Sequence, residues 1–270
     1  MPRVGLFVTC LVDLFRPSVG FASVRLLEEA GCEVVVPSGQ TCCGQPAWNA
    51  GDRASARAIA LGCLDAFVDV DAVVAPSGSC IGMLRQFPEV LGGTDPRHGE
   101  AESLAARAFE LTEYLVDHCG CSPRAAAPSA AAGPVTYHDS CAGLRECGIR
   151  AQPRTLLAAV GVELVEMDAA ETCCGFGGTF CIKYPDISRG MVDDKLASID
   201  RAVGERTGSP TVVGGDLGCL LNIAGRLTRT GRPIRARHVA ELLVDADATP
   251  AIGEPDLPEQ SARTAREPAK

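Results

Sequence analysis

Fourteen cysteines in a chain of 270 residues are the feature whose chemistry asks for an explanation. Eight of them follow a repeated pattern. Cys10, Cys42, Cys43 and Gly44 recur as Cys141, Cys173, Cys174 and Gly175, each at an offset of 131 positions, and Thr41 is matched by Thr172. Cys80 and Cys219 complete the two sets, separated from their pairs by 36 and 44 residues, as an eight-residue insertion in a loop of the second half would produce. Iron-sulfur clusters are held by thiolates that loops bring together from separate turns of chain. Adjacent cysteines can bind neighbouring irons, and the following Gly permits a tight backbone approach. One Cys-Cys-Gly is weak evidence, whereas two, each preceded by Thr and by a lone cysteine at the same distance, are poorly explained by chance. Zinc is the competing metal, because four thiolates also satisfy its tetrahedral preference, but adjacent pairs are unlike the C-x2-C spacing of zinc knuckles. The metal-ligand candidates are Cys10, Cys42, Cys43, Cys80, Cys141, Cys173, Cys174 and Cys219.

A disulfide framework is not required. Disulfide-dense scaffolds are mainly small secreted chains that cannot bury enough apolar surface, and 270 residues suffice for one large domain or two ordinary ones. Cys32, at a helix end, and Cys63, on an apolar helical face, read as small buried hydrophobes. The formal charge of −9 and pI near 5.0 exclude nucleic acid as a natural partner, since phosphate binding needs clustered Lys and Arg. The apolar amino terminus is interrupted by Asp13 and Arg16 and reads as a first buried strand rather than a secretory signal. No apolar run approaches the ~20 residues of a membrane helix. A cytoplasmic setting without membrane insertion is the expectation.

The elements that must carry these cysteines alternate. In the first half, apolar 3–8 leads to Cys10, helical spacing covers 19–30, β-branched 33–37 precedes the Cys-Cys pair, a helix follows over 52–68, and strand 72–75 leads through Pro-Ser-Gly-Ser to Cys80. The second half repeats this with strand 135–138, helix 154–160, strand 163–167, helix 187–203, strand 211–213 and helix 219–227. The expected fold is α/β: two tandem, pseudo-twofold-related cysteine-rich domains, each on a parallel sheet covered by helices. Cysteines just beyond strand carboxyl ends stand where such sheets place ligands. The expected divisions are a first domain over 1–120, a linker over 121–133, a second domain over 134–245, and a disordered tail over 246–270.

His138, three residues before Cys141 at a strand end, is a candidate cofactor-binding residue, donating a hydrogen bond to a cluster sulfur. His98, His118 and His238 are isolated and read as solvated or core residues. Cys147 and Cys181 fall near the second set without counterparts in the first, and either could supply a further ligand. The glycine-rich run 214–218 lacks the full dinucleotide fingerprint and is assigned to packing around Cys219.

These residues resemble the tandem cysteine-rich CCG-domain family, to which the cysteine-rich component of heterodisulfide reductase belongs. The family pattern is a lone Cys, about 31 to 39 residues, Cys-Cys-Gly, about 35 residues and Cys-x-x-Cys, and the resemblance covers about residues 3 to 243. Cys173-Cys174-Gly175-Phe176-Gly177-Gly178-Thr179-Phe180 and Tyr137-His138-Asp139-Ser140-Cys141 look like its lactate-utilisation protein A branch. The resemblance implies an iron-sulfur redox subunit in the oxidation of L-lactate to pyruvate, working with a ferredoxin-type iron-sulfur protein and a third component. Aromatic residues near an exposed site often anchor partners, so docking is expected near the two sites, including Trp48 and Phe176. Alternatives are a heterodisulfide- or quinone-reductase-type electron-transfer subunit and a zinc-stabilised non-enzymatic scaffold. Met83 and Asn222 stand where the family has its last cysteine, and Ala142 where relatives often have His. Four-thiolate binding, of [4Fe-4S] type with one cluster per half, is therefore the expectation, zinc remaining open for one half.

Overall fold

The computed structural model describes residues 1–120, 133–204, 206–245 and 249–254. The first half runs β1 (Arg3–Leu6), α1 (Cys10–Phe15), α2 (Pro17–Glu29), β2 (Glu33–Val35), α3 (Gln45–Asn49), α4 (Arg53–Ala66), β3 (Ala72–Ala75), α5 (Gly78–Arg85), α6 (Phe87–Leu91), α7 (His98–Ala106), β4 (Ala108–Glu110) and α8 (Leu111–Glu113), which continues as a π-helical turn at Tyr114–His118. The second runs β5 (Val135–His138), α9 (Cys141–Arg145), α10 (Ala151–Ala159), α11 (Phe180–Lys183), α12 (Pro185–Ile199), a π-helical turn at Asp200–Gly204, β6 (Thr211–Gly214), α13 (Leu217–Arg229), β7 (Arg235–His238) and α14 (Val239–Asp245). No helix among the described residues is long and apolar enough to cross a membrane.

Both sheets are parallel. The first has the order β2-β1-β3-β4 and the second β5-β6-β7. A single parallel bridge from Val135 to Leu164 extends the second sheet on the side where β2 lies in the first, so the two strand orders correspond. Central strands buried on both faces read as continuous apolar runs, and Ala72–Ala75 and Thr211–Gly214 are buried throughout. Helix α2 buries Val19, Ala22, Leu26 and Leu27, the spacing of one helical stripe. The expected strand over 163–167 is reduced to the Leu164 bridge, held by Val165 N–H donating to Val135 O. It is a sheet edge with pairing on one side only, and the next residue, Glu166, is drawn out to Arg154. Strands β4 and β7 are additions that the sequence pattern does not announce.

The halves pack reciprocally: α5 lies against α9 and α1 against α13, while α2 lies against α14 and α10 against α8. α1 and α9 start at matched cysteines, α5 and α13 carry the matched last cysteines, and each pair is the other's counterpart. Such exchange is what a twofold arrangement produces. Most of the length difference falls between α4 and β3 (residues 67–71) and between α12 and β6 (residues 200–210). The sequence-expected linker 121–133, apart from Gly133, and residues 246–248 and 255–270 of the expected tail lie outside the described residues. Residues 249–254 pack on the second half: Ile252 N–H donates to Ala236 O, and the Arg237 guanidinium donates to Thr249 O.

Candidate metal centres

In each half the lone cysteine opens a helix. Thr9 caps α1, accepting from Val12 N–H, and Ser140 caps α9, accepting from Gly143 N–H. The last cysteine lies in the first turn of α5 or α13, just beyond the carboxyl end of β3 or β6. Between them comes the Cys-Cys-Gly turn. Gly44 (φ +88°) and Gly175 (φ +82°) are left-handed, a conformation open to Gly at little cost. That twist aims the Gly44 N–H at Cys42 Sγ and the Gly175 N–H at Cys173 Sγ, both at 3.4 Å. A Cβ on Gly175 would also lie 2.6 Å from Ser188 O.

The four thiols of each half form one chain of contacts. Cys10 meets Cys42 at 3.7 Å, Cys42 meets Cys43, and Cys43 meets Cys80. Cys141, Cys173, Cys174 and Cys219 repeat it link for link. All eight are free thiols. Hydrogen bonds from Cys10, Cys43 and the Gly44 N–H pull the Cys42 thiol well below its ordinary value, and Cys10 is pushed up in return. Cys173 and Cys141 show the same pairing, the former lowered and the latter raised. Convergent thiols, one already biased to thiolate, suit a thiophilic metal or iron-sulfur core.

The surroundings of the two sets differ. His138 ends β5, is 1% exposed, and has no hydrogen-bond partner on either ring nitrogen among the described residues. One of its ring nitrogens and the sulfurs of Cys174 and Cys219 all lie within 4.8 Å of one another. Burial and Lys195 push the imidazole down to about 3, so it is neutral. Lys195 is itself fully buried, donating to Ala169 O and Ala170 O, and burial lowers it to about 8. Asp139, 1% exposed at its side chain, is held bidentately by Arg154 at 2.9 Å. In the first half the 131-residue offset puts Phe7 and Val8 at the positions of His138 and Asp139. Gly44 faces Ile59 and Gly175 faces Met191, a spacing of 132 that sets Cys63 opposite Lys195. Cys63 contacts Cys42 O, and burial pushes its thiol up to about 12.

A cavity of about 430 Å³ opens at the first set, lined by Cys10, Cys42, Cys43 and Cys80 from one half and by Phe176, Cys181, Ile182 and Leu221 from the other. Phe176 packs on Gly218, where a Cβ would meet the ring at 2.5 Å. Cys147 and Cys181, expected beside the second set, lie against the first half instead: Cys147 donates to Gly78 O, and Cys181 joins this cavity wall. The loop after Cys174 crosses between halves, which linear distance from Cys173 could not reveal. Asn222 donates through its amide nitrogen to Cys174 O at 2.8 Å, and Met83 is buried in the first core. Trp48 carries the Arg53 guanidinium 3.6 Å above its ring. His118 stacks on Tyr114 and meets Phe109 at a tilt, His98 pairs with Glu102, and buried His238 meets Pro76 O. Sequence reasoning missed Lys195, whose signal was a cation on the buried face of α12.

Duplicated cysteine-rich sheets with thiols gathered at strand ends define the class, and the model of the CCG cysteine-rich domain matches residues 4–85 and 135–224. Lactate utilization protein A of Geobacillus kaustophilus (strain HTA426) is 46% identical over 242 residues, covering 89% of this chain and 98% of that protein. The protein of that name from Exiguobacterium sp. is 45% identical over 246 residues (90% and 97%), and that from Bacillus subtilis (strain 168) 42% over 242 residues (89% and 98%). The chain belongs to the lactate utilization protein A family, built from two CCG cysteine-rich domains.

Proposed function

We propose that this chain is an iron-sulfur redox subunit of a cytoplasmic L-lactate oxidation system, holding one cluster of [4Fe-4S] type in each half. The observation that carries the reading is the duplicated contact chain of four free thiols, Cys10-Cys42-Cys43-Cys80 and Cys141-Cys173-Cys174-Cys219. The relatives' name supports a place in lactate utilisation. When bound, the clusters would supply one-electron steps. The chain's own residues hold them: helix caps fix the lone cysteines, the left-handed glycines place an N–H on the first sulfur of each pair, and both sets face the seam between the halves, where Ser79 N–H donates to Asp216 across it.

A cluster protein without an organic carrier passes electrons through a partner surface, and a ferredoxin-type protein and a third component are the partners we assign. Exposed Phe15 and Ile182 beside the first set, with exposed Leu14 close by, support docking at that cavity mouth. Zinc in the second half is a second reading, favoured by the three-donor group of His138, Cys174 and Cys219. Anaerobic purification followed by iron, sulfide and zinc analysis decides: about two clusters' worth of iron and sulfide per chain is expected, and zinc without sulfide in both halves overturns the redox reading. Lactate oxidation with an artificial acceptor, by the chain alone and with its partners, tests the requirement for a complex.

A further inference from the structure

We propose that His138 is a direct metal ligand of the second centre, a donor the first centre lacks, so that the two cysteine sets hold chemically unlike centres. This rests on reading the sets as metal sites and goes one step past it. A buried imidazole with both nitrogens unmatched is costly, because each unmade hydrogen bond forfeits the hydration it would have in water, and such an orphan calls for a missing partner.

The described residues do not provide that partner. The neighbouring groups that could serve are engaged: the Asp139 carboxylate with Arg154, the Lys195 ammonium with the Ala169 and Ala170 carbonyls, and the Asn222 amide nitrogen with Cys174 O. Nor is the ring hydrogen-bonded to the sulfurs beside it, although one of its nitrogens lies within 4.8 Å of both Cys174 Sγ and Cys219 Sγ. Metal bonds of about 2.0 Å to nitrogen and about 2.3 Å to sulfur leave the two donors roughly 3.5 Å apart at a tetrahedral angle. A metal atom among the three groups therefore satisfies the nitrogen once the donors close to that separation from within 4.8 Å.

The first half cannot copy this. Phe7 occupies the position of His138, fully buried and packed 5.8 Å, centroid to centroid, from Phe67. Four thiols stand there without a nitrogen. The second half draws a nitrogen donor from the strand end: in a four-iron cluster, where each iron takes one protein donor, His138 takes the iron of one of the four cysteines, and in a zinc site it joins Cys174 and Cys219.

The test uses the full chain carrying both centres, reconstituted anaerobically with iron and sulfide, reduced, and prepared with natural and with ¹⁵N-labelled histidine. Pulsed EPR is expected to show one strongly coupled nitrogen that changes isotope pattern on labelling and is lost in His138→Phe, the residue the first half uses. Only weak coupling of hydrogen-bond size in the labelled wild type overturns the proposal whether or not the variant folds, and so does strong coupling that survives His138→Phe. Metal analysis keeps the two readings apart. If the second half holds zinc without sulfide, the cluster reading fails there, and zinc-edge X-ray absorption takes over: a sulfur shell with one imidazole supports ligation, and sulfur alone overturns it. A second half that binds neither metal overturns both readings.

Discussion

The first and second cysteine sets share one backbone scheme but sit in different media. Around Cys10, Cys42, Cys43 and Cys80 the wall is Phe7, Val8, Cys63 and an open apolar cavity. Around Cys141, Cys173, Cys174 and Cys219 it is an unpartnered imidazole, a buried ammonium and a buried carboxylate clamped by arginine. Duplication thus preserved what gathers the thiols and changed what surrounds them. Under the proposed cluster reading, where reduction potential follows charge and hydrogen bonding near the sulfurs, the buried Lys195 cation would favour the reduced form of the second centre, and the open cavity would suit the first to the proposed partners.

The sharpest way to break this comparison is to remove one set at a time. Cys43→Ser should abolish metal at the first half and Cys174→Ser at the second, each leaving about half of the iron and sulfide, because thiolate contact is obligatory for cluster retention. Loss of both centres from either single variant would show that the halves are not independent.

Arg154→Ala attacks the polar wall of the second half alone. It strips the buried Asp139 carboxylate of a bidentate partner that also holds Glu166. Breaking a buried pair this way typically costs 3–5 kcal/mol, and Arg154 retains some solvent contact, so a loss of about 3 kcal/mol in denaturant unfolding is expected. The first half has Val8 in the place of Asp139 and no such liability.

Glu110 adds a pH dependence from the first half. It ends β4, is 2% exposed, and accepts through one oxygen from Thr112 and Glu113 while the other lacks a partner. Burial raises its carboxyl to about 7 from 4.5. Between those values the folded state keeps a proton the unfolded state has lost, so stability falls as pH rises and levels off above about 7. The shift corresponds to about 3 kcal/mol at most. Glu110→Gln keeps the accepting oxygen and imitates the protonated acid; thermal melts should show the variant matching the wild type near pH 4.5 and exceeding it at pH 8. An unchanged pH profile would remove Glu110 from the account.

Much of this architecture is legible in the residues alone. The offset of 131 announces two like halves, and alternating apolar strands and helical stripes place both sets at strand ends. Strands β4 and β7 are not legible, because Ala-Phe-Glu and Arg-Ala-Arg-His are short and mix charge with apolar residues, and only pairing with β3 and β6 makes them strands. The strand expected at 163–167 shrinks because an edge offers one partner. Cys181 belongs to the other half's cavity because a glycine-rich loop can cross a domain seam, and proximity in sequence says nothing about that. Lys195 escapes notice because a charge on an otherwise ordinary helix looks solvated until its carbonyl partners are seen.

The smallest expected effect probes the seam itself. At the α5–α9 contact Gly78 meets Gly143, and a Cβ on Gly78 would lie 2.5 Å from the Gly143 Cα and 2.9 Å from its nitrogen. Backbone cannot move aside as a side-chain tip can. The reciprocal contact, α1 with α13, has Val12 and Leu217 at the matching positions, so those helices are held apart by side chains, and the cavity at the first set lies there, lined by Leu11 and Leu217. Gly78→Ala should therefore push α5 from α9 at an overpacking cost of about 1–3 kcal/mol, whereas Leu217→Ala, which removes a side chain lining the cavity, should enlarge that cavity. If the widened α5–α9 seam makes the second set more accessible, Gly78→Ala should speed release of its metal to a chelator while leaving the first set's rate unchanged. Equal acceleration at both sets would mean that the glycine contact holds the whole interface rather than one side of it, and the contrast between a tight and an open seam would fall.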